Sequence, residues 1–174
     1  MLETPRLTLK VGTLQEAASM VILNSDPEVI RYTGDVPTPT IQEAEKVIQE
    51  RILPQFEKYK MGRFSVYLKD GTYIGWCGLR YFPESDEVDL GYRLMKKYWG
   101  LGYASEASAE CLKYGFEALK LKRIIAKTLP ENTASIKVMQ KMKMTFRGYH
   151  NDPTDPQGFI RYDISAEEFN QCKK

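Results

Sequence analysis

The chain is poor in the residues that bind soft or borderline metals. It holds one histidine, His150, and three cysteines, Cys77, Cys111 and Cys172, which are far apart and form no C-x-x-C pair. Zinc and haem centres lack ligands here, so no metal is expected. An odd, scattered set of thiols argues against a disulfide framework and for a reducing, cytoplasmic setting. No apolar run approaches the ~20 residues of a membrane span, and the start, Met1-Leu-Glu-Thr-Pro-Arg6, is too polar for a signal peptide. A dominant charge is also missing. Lys and Arg number 25 against 23 Asp and Glu, a formal net charge of +2, with both signs alternating along the chain. Without a clustered basic face, nucleic acid is not expected as a partner.

What is present suits a globule with a real core: 174 residues, 43% hydrophobic and 28% charged, read as one domain over residues 1–174. Leu7, Leu9 and Val11 alternate with polar neighbours as a first strand. Thr13 with Glu16, Thr40 with Glu43, and Ser165 with Glu168 are capping boxes, each predicting a helix start. The second of these helices contains Pro54, which should kink or end it, and Gly62 is expected to close it. Asp26-Pro27 should stop the first. Between them lies a turn-rich stretch, Tyr32 to Pro39.

The middle of the chain reads as three antiparallel strands: Arg63–Leu68, Tyr73–Phe82 after an Asp70-Gly71 turn, and Glu87–Met95 after Pro83–Asp86. Alternation in the last places Glu87, Asp89, Gly91 and Arg93 on one face and Val88, Leu90, Tyr92 and Leu94 on the other. The second half predicts a helix from Ala104 to Lys120, a strand Arg123–Leu129, a helix Thr133–Met142 and a strand Met144–Tyr149. A loop Asn151–Gln157 and a strand Phe159–Ile164 follow. The implied class is α+β, with a mixed, mostly antiparallel sheet of about seven strands flanked by helices.

Chemistry concentrates where the third middle strand gives way to a helix. Trp99-Gly100-Leu101-Gly102-Tyr103-Ala104-Ser105 opens a helix rich in small residues. Glycines there let a ligand approach the backbone, and the free N–H groups of a first helical turn favour an anion such as a pyrophosphate. From the glycines alone, a plain strand-to-helix turn stays open as a reading. The match of Gly100-x-Gly102-x-x-Ser105 to a dinucleotide fingerprint is contradicted by its surroundings: an antiparallel meander precedes it, and too little chain follows for a full dinucleotide fold.

The stretch Tyr98 to Ala107 resembles the acyl-CoA-binding loop of the GNAT N-acetyltransferases, Gln/Arg-x-x-Gly-x-Gly/Ala, with Trp99 in the first position. That replacement, the opening Glu3-Thr-Pro-Arg-Leu-Thr-Leu9, and Pro130–Lys141 are similar to the RimJ/RimL-like branch. The resemblance runs from about residue 2 to 165. It implies a sheet splayed between strands four and five, with acetyl-CoA as co-substrate lying in the gap. The pantetheine would pair with backbone groups near Leu94 and Met95, and the pyrophosphate would rest on the N–H groups of Leu101 to Ser105. It also implies transfer of acetyl to a primary amine, a protein N-terminus or a small amine such as a polyamine, amino sugar or amino acid. A non-catalytic acyl-CoA-binding or sensing protein of the same fold is the alternative. Related enzymes are monomers or homodimers.

Direct transfer needs a base for the amine and a proton for the departing thiolate. Asp89 matches a position where the family has Glu, so it is the candidate base; Glu87 is the reserve, and a strand acid paired with Arg93 is the bland reading. The family's tyrosine acid falls on Met139, which has no proton to give. The RimJ/RimL-like pattern instead offers Asn132, to hold the pantetheine arm, and Ser135, to reach the sulfur; a helix cap with an exposed serine is the bland reading of that pair. Lys143 stands where the family has Gly; a positive φ there would carry strain of about 1 kcal/mol. Cys111 reads as core, His150 as solvated, and Tyr32, Trp76 and Tyr81 as either pocket lining or packing.

Overall fold

Alternation sorts the strand side chains onto two chemically different faces. In β2 (Leu7–Lys10), β3 (Arg63–Leu68), β4 (Tyr73–Phe82) and β5 (Glu87–Leu94), antiparallel register sets Leu9 beside Val66, Phe64 beside Cys77 and Leu79 beside Leu90. This apolar face is buried beneath α5 (Tyr103–Lys113), whose Ala107, Cys111 and Leu112 complete the main core. The small residues of α5 let its axis approach the strands. The same register puts Arg63, Trp76, Arg80, Asp89 and Arg93 together on the other face. The computed structural model describes residues 1–33, 37, 40–152 and 155–172, without the side chains of 151, 152 and 155–157.

The sheet has eight strands in the order β1-β2-β3-β4-β5-β6-β8-β7. The remaining four are β1 (Leu2–Glu3), β6 (Arg123–Thr128), β7 (Thr145–Asp152) and β8 (Asp155–Ser165). The mixed α+β architecture agrees with expectation, and the strand count corrects it by one. Leu2 pairs with Leu9 and Glu3 with Thr8, making an edge strand too short for alternation to reveal. A second correction concerns Asn151–Gln157, expected as a loop. β7 runs on to Asp152 and β8 begins at Asp155, so strand pairing enters that segment from both ends; residues 153 and 154 lie outside the described part. Its prolines and aspartates read as turn formers, which hid the pairing.

Among the described residues β5 and β6 form the one parallel neighbour pair, and their register records a single match, Asp89 with Ile125. On the β4 side, the Met95 N–H donates to Ile74 O at 2.9 Å, across the Leu94–Gly75 pair. Ladder alternation therefore directs the backbone of Asp89, Gly91 and Arg93 to β4 and that of Tyr92 and Leu94 toward the β6 side. Past Asp89 the two strands part, and this is the expected splay between the fourth and fifth strands of the pattern.

All three capping boxes form. The first opens a 3₁₀ turn, Leu14–Glu16, that runs into α1 (Ala17–Ser25). Asp26 does more than stop that helix: its carboxylate accepts from the Glu28 N–H at 3.0 Å and caps a short α2 (Pro27–Ile30). Pro54 neither ends nor breaks the next helix. α3 (Ile41–Val47) widens into a π turn, Ile48–Ile52, before α4 (Leu53–Tyr59), and the Leu53 N–H reaches back to Ile48 O. The wider turn absorbs the donor that proline lacks and the room its ring needs. Lys60, in a left-handed conformation (φ 58°), closes α4 in place of Gly62. Gly62 is required by packing instead, because a Cβ there would stand 2.4 Å from the Phe56 ring. α5 continues through a π turn, Tyr114–Ala118, and α6 (Thr133–Lys141) ends on Lys143 at φ 58°, the left-handed conformation for which the resemblance offers Gly. A C-terminal helix, α7 (Ala166–Gln171), follows β8. Among the described residues no helix is long and apolar enough to cross a membrane.

Backbone packs against backbone at Gly78, where a Cβ would lie 2.0 Å from the Gly62 carbonyl oxygen. Neither atom belongs to a side chain that can swing away. Gly78→Ala should therefore cost about 3 kcal/mol of stability, at the upper end of overpacking effects. Urea denaturation checks this; a loss under about 1 kcal/mol would mean that the start of β3 yields easily.

Candidate active site

A cavity of about 780 Å³ passes through the gap between β5 and β6 and meets both faces of the sheet. It falls in the size range of small-molecule sites. On the polar face it is bounded by Arg63, Trp76, Arg80, Asp89 and Arg93, with Asn24 of α1 and Arg51 of the π turn above them. On the other side it is bounded by Tyr92, Asn132, Ser135 and Met139.

Asp89, the candidate base, is held by a residue that the sequence pattern did not single out. Arg63 Nη2 donates to Asp89 Oδ2 at 2.5 Å, and its Nη1 donates to the backbone oxygens of Gly78 and Asp89. Both side chains are mostly buried, at 17% and 14% exposure. The pairing with Arg93 does not form; Arg93 donates to Asn24 Oδ1 at 2.5 Å. Arg63 lies across the sheet because Gly91 leaves the space: a Cβ at Gly91 would come within 2.7 Å of Nη2. Glu87, the reserve candidate, is not in the cavity wall. It binds Arg161 at 2.5 Å and Lys127 at 3.7 Å, a structural role. Asp89 is thus the one carboxylate among the described residues that bound the cavity.

On the opposite side, the Tyr92 hydroxyl and Ser135 Oγ are 3.0 Å apart. Asn132 Oδ1 accepts from the Ser135 N–H at 3.1 Å, so Asn132 caps α6 and faces the cavity at once. Ser135 is half-buried, not exposed. Burial raises the Tyr92 phenol above its ordinary value, and the Ser135 hydrogen bond only partly opposes this, so the hydroxyl keeps its proton. Tyr92 escaped the sequence reading because alternation placed it, correctly, on the buried face. Its partner is 43 residues away, a separation that periodicity does not reach.

Gly100 and Gly102 take φ of +75° and +83°, conformations that glycine adopts without strain. A Cβ on Gly100 would meet nothing within 4 Å, and one on Gly102 only Arg6 Nη2 at 3.4 Å. Gly102 is the N-cap of α5, so the N–H groups of Tyr103, Ala104 and Ser105 form its first turn, where intrahelical acceptors are lacking and the dipole favours an anion. Trp99 reaches back: its indole Nε1 donates to Leu94 O at 2.7 Å, while Leu101 stays exposed. The Met95 N–H is taken by Ile74 and the Leu94 carbonyl by Trp99, which leaves the Leu94 N–H and the Tyr92 backbone directed to the gap.

The N-terminal segment fastens this loop. Arg6 donates to Leu101 O at 2.9 Å and to Glu106 at 2.6 Å, and its guanidinium lies 4.5 Å from the centre of the Tyr103 ring. The Thr4 hydroxyl adds a bond to Glu106 at 2.6 Å. Burial pushes the Glu106 carboxyl up, but the bonds from Thr4 and Arg6 outweigh it and leave the group below its usual value. Of the three aromatic candidates, Tyr32 and Trp76 meet the cavity; Tyr81 does not, its hydroxyl donating to Asp86 at 2.8 Å. Cys111 is core, as expected, and His150 stacks on Phe159 instead of standing in solvent. Among the described residues no three His, Cys, Asp or Glu side chains cluster as metal ligands. Residues 34–36, 38 and 39, in the turn-rich stretch between the first two helices, lie outside the described part.

The profile of the acetyltransferase (GNAT) domain matches residues 6–145. The uncharacterized N-acetyltransferase p20 of Bacillus licheniformis is 36% identical over 159 residues, covering 90% of this chain and 89% of its own. The crystal structure of a GNAT-family acetyltransferase from Bacillus anthracis superposes with a TM-score of 0.83 at 27% identity, over 96% of this chain and 99% of that one. Spermidine N-acetyltransferase from Vibrio cholerae, crystallised with CoA and spermine, shares the fold at a TM-score of 0.80 and 17% identity, over 96% and 99% of the two chains. A sheet opened beside a glycine-led helix, a profile spanning most of the sequence and a relative alike along nearly its whole length lead to one conclusion: the chain belongs to the GNAT acetyltransferase family.

Proposed function

We propose that this chain transfers acetyl from acetyl-CoA to a primary amine by direct attack in a ternary complex. The observation that carries the reading is the opening between β5 and β6, together with the positive-φ glycines and the first turn of α5 that follow β5 along the chain. The loop's sequence around Trp99 and the Glu3–Leu9 segment favour the RimJ/RimL-like branch.

The residues present fit the carrier. The pyrophosphate would take the N–H groups between Leu101 and Ser105, with Gly100 and Gly102 keeping side chains out of its way. The pantetheine arm would pair with Tyr92 and Leu94 main-chain groups and with Asn132; Met95, its N–H already bonded within the sheet, plays a lesser part. CoA supplies an activated acyl group with a good leaving thiolate. The chain supplies orientation, a base and an acid.

β5 divides that work between its two faces. Asp89 borders the cavity on the acceptor side, and with Oδ2 held by Arg63 its other oxygen would accept a proton from the attacking amine, directly or through one water. The nitrogen forms its bond to the acyl carbon and the carbon–sulfur bond breaks. The main-chain donors at the end of β5 oppose charge on the carbonyl oxygen. Tyr92, three residues along on the opposite face, returns a proton to the thiolate itself or through Ser135. This pair answers the lack of a proton donor at Met139.

Substituting Gly102 by Val forces a β-branched residue to φ +83° at the carrier's anion site and should weaken CoA binding about tenfold or more, the size of a lost charge-assisted hydrogen bond. Calorimetry reads this, and unchanged affinity removes the loop from the site. Asp89→Asn should lower kcat by about a hundredfold or more and change the shape of the pH–rate profile while CoA still binds. Full turnover at every pH excludes Asp89 as the base. Tyr92→Phe should lower kcat by about a hundredfold with little change in the acceptor KM; wild-type kcat would return the proton-donor role to Ser135 or to water.

A further inference from the structure

We infer that the acceptor is a small amine that also carries a carboxylate, bound by Arg80 and Arg51, and is not a polyamine. The inference rests on the transferase reading above and assigns its substrate class. Arg80 is the direct cross-strand neighbour of Asp89, so a guanidinium and the candidate base flank the same part of the cleft. Arg51 comes from the π turn that Pro54 imposes and borders the same cavity. The two arginines thus arrive from different elements and converge on the acceptor side.

The charge balance there is one-sided. Among the described residues bordering the cavity the acid is Asp89, and it is already held by Arg63. Neither Arg51 nor Arg80 makes an ion pair with a described residue. Burial lowers the Arg80 guanidinium, and Arg63 and then Arg51 lower it further, with Asp89 and Glu84 acting against them. Arg51 and Arg80 are exposed where they border the cavity, the Arg80 guanidinium 4.5 Å from the centre of the Phe82 ring, and a guanidinium binds a carboxylate through paired N–H groups. A polycation entering the same cleft would meet repulsion from Arg51 and Arg80. Trp76 also borders the cavity, with the Arg63 and Arg93 guanidinium carbons 5.2 and 5.5 Å from its ring centre.

The geometry then orients the substrate: the amine toward Asp89 and the carbonyl gap, the carboxylate toward Arg80 and Arg51. The test follows CoA thiol release with acetyl-CoA and four acceptor sets: free amino acids, the matching amino-acid amides, spermidine, and short peptides with acidic second residues. For the preferred amino acid, kcat/KM should exceed that of its amide by about tenfold to a hundredfold, the size of a charge-assisted hydrogen bond. Arg80→Gln should collapse that ratio to within about threefold by raising the KM for the acid, and Arg80→Lys should restore part of it. A melting curve matching the wild type confirms that Arg80→Gln is folded; Arg51→Gln, on a different element, is the second variant. Amides or spermidine used as well as the acids would overturn the inference alone, and so would a preference for the peptides. No thiol release with any amine would overturn the transferase reading and this inference with it.

Discussion

The parting of β5 from β6 just past Asp89 is the feature on which the rest of the molecule's chemistry depends. Two strands that stay paired consume each other's backbone groups. Two that separate leave a row of donors and acceptors facing a crevice, which is costly unless something else pairs with them. A carrier built as an extended chain of amides can do so as though it were a strand. The crevice also joins the two faces of the sheet, so groups placed by alternation on opposite sides of β5 come to serve one cavity. Asp89 and Tyr92 are three residues apart and point opposite ways, yet both border that one cavity.

Positioning of those groups comes from interactions that look purely structural. The Arg63–Asp89 pair is mostly buried, and its guanidinium also donates to two backbone carbonyls, so its polar atoms are compensated in a way that an isolated buried ion pair is not. Glycines at 78 and 91 make that arrangement sterically feasible, one by letting β3 approach β4, the other by leaving room for the guanidinium. Removing either partner of the pair would leave a charge without compensation in the floor of the cleft. At the far end, Thr4 and Arg6 tie the first strand pair to the first turn of α5 and fix the glycine loop relative to the sheet.

Much of this was legible along the chain. The capping boxes and the three-strand meander follow from local rules, since each depends on residues within a few positions of one another. Asp89, Asn132, Ser135 and the Trp99–Ser105 loop were reachable through pattern, and the first three do border one cavity. What escaped were relations across space. Arg63 looked like an ordinary polar strand position, and nothing local tied it to Asp89. Tyr92 looked like core. Thr4 and Arg6 were visible only as part of a familiar opening, with no hint that they reach Glu106 and Leu101. The edge strand at Leu2–Glu3 and the strand ends entering residues 151–157 were missed because their pairing comes from neighbours, not from their own composition.

The amino-acid sequence by itself determined the periodicities: which residues face the core, where helices start, and where glycine must permit a backbone that other residues resist. Those depend on local sterics and hydrogen bonding, which a linear string encodes directly. Only the tertiary structure decided which charge meets which. The partner of Asp89, the company of Tyr92 and the convergence of Arg51 with Arg80 depend on strand register, a helix widened at Pro54 and a sheet that opens at one point. A carboxylate or a phenol acquires its chemical character from such surroundings, and the chain has to fold before they exist.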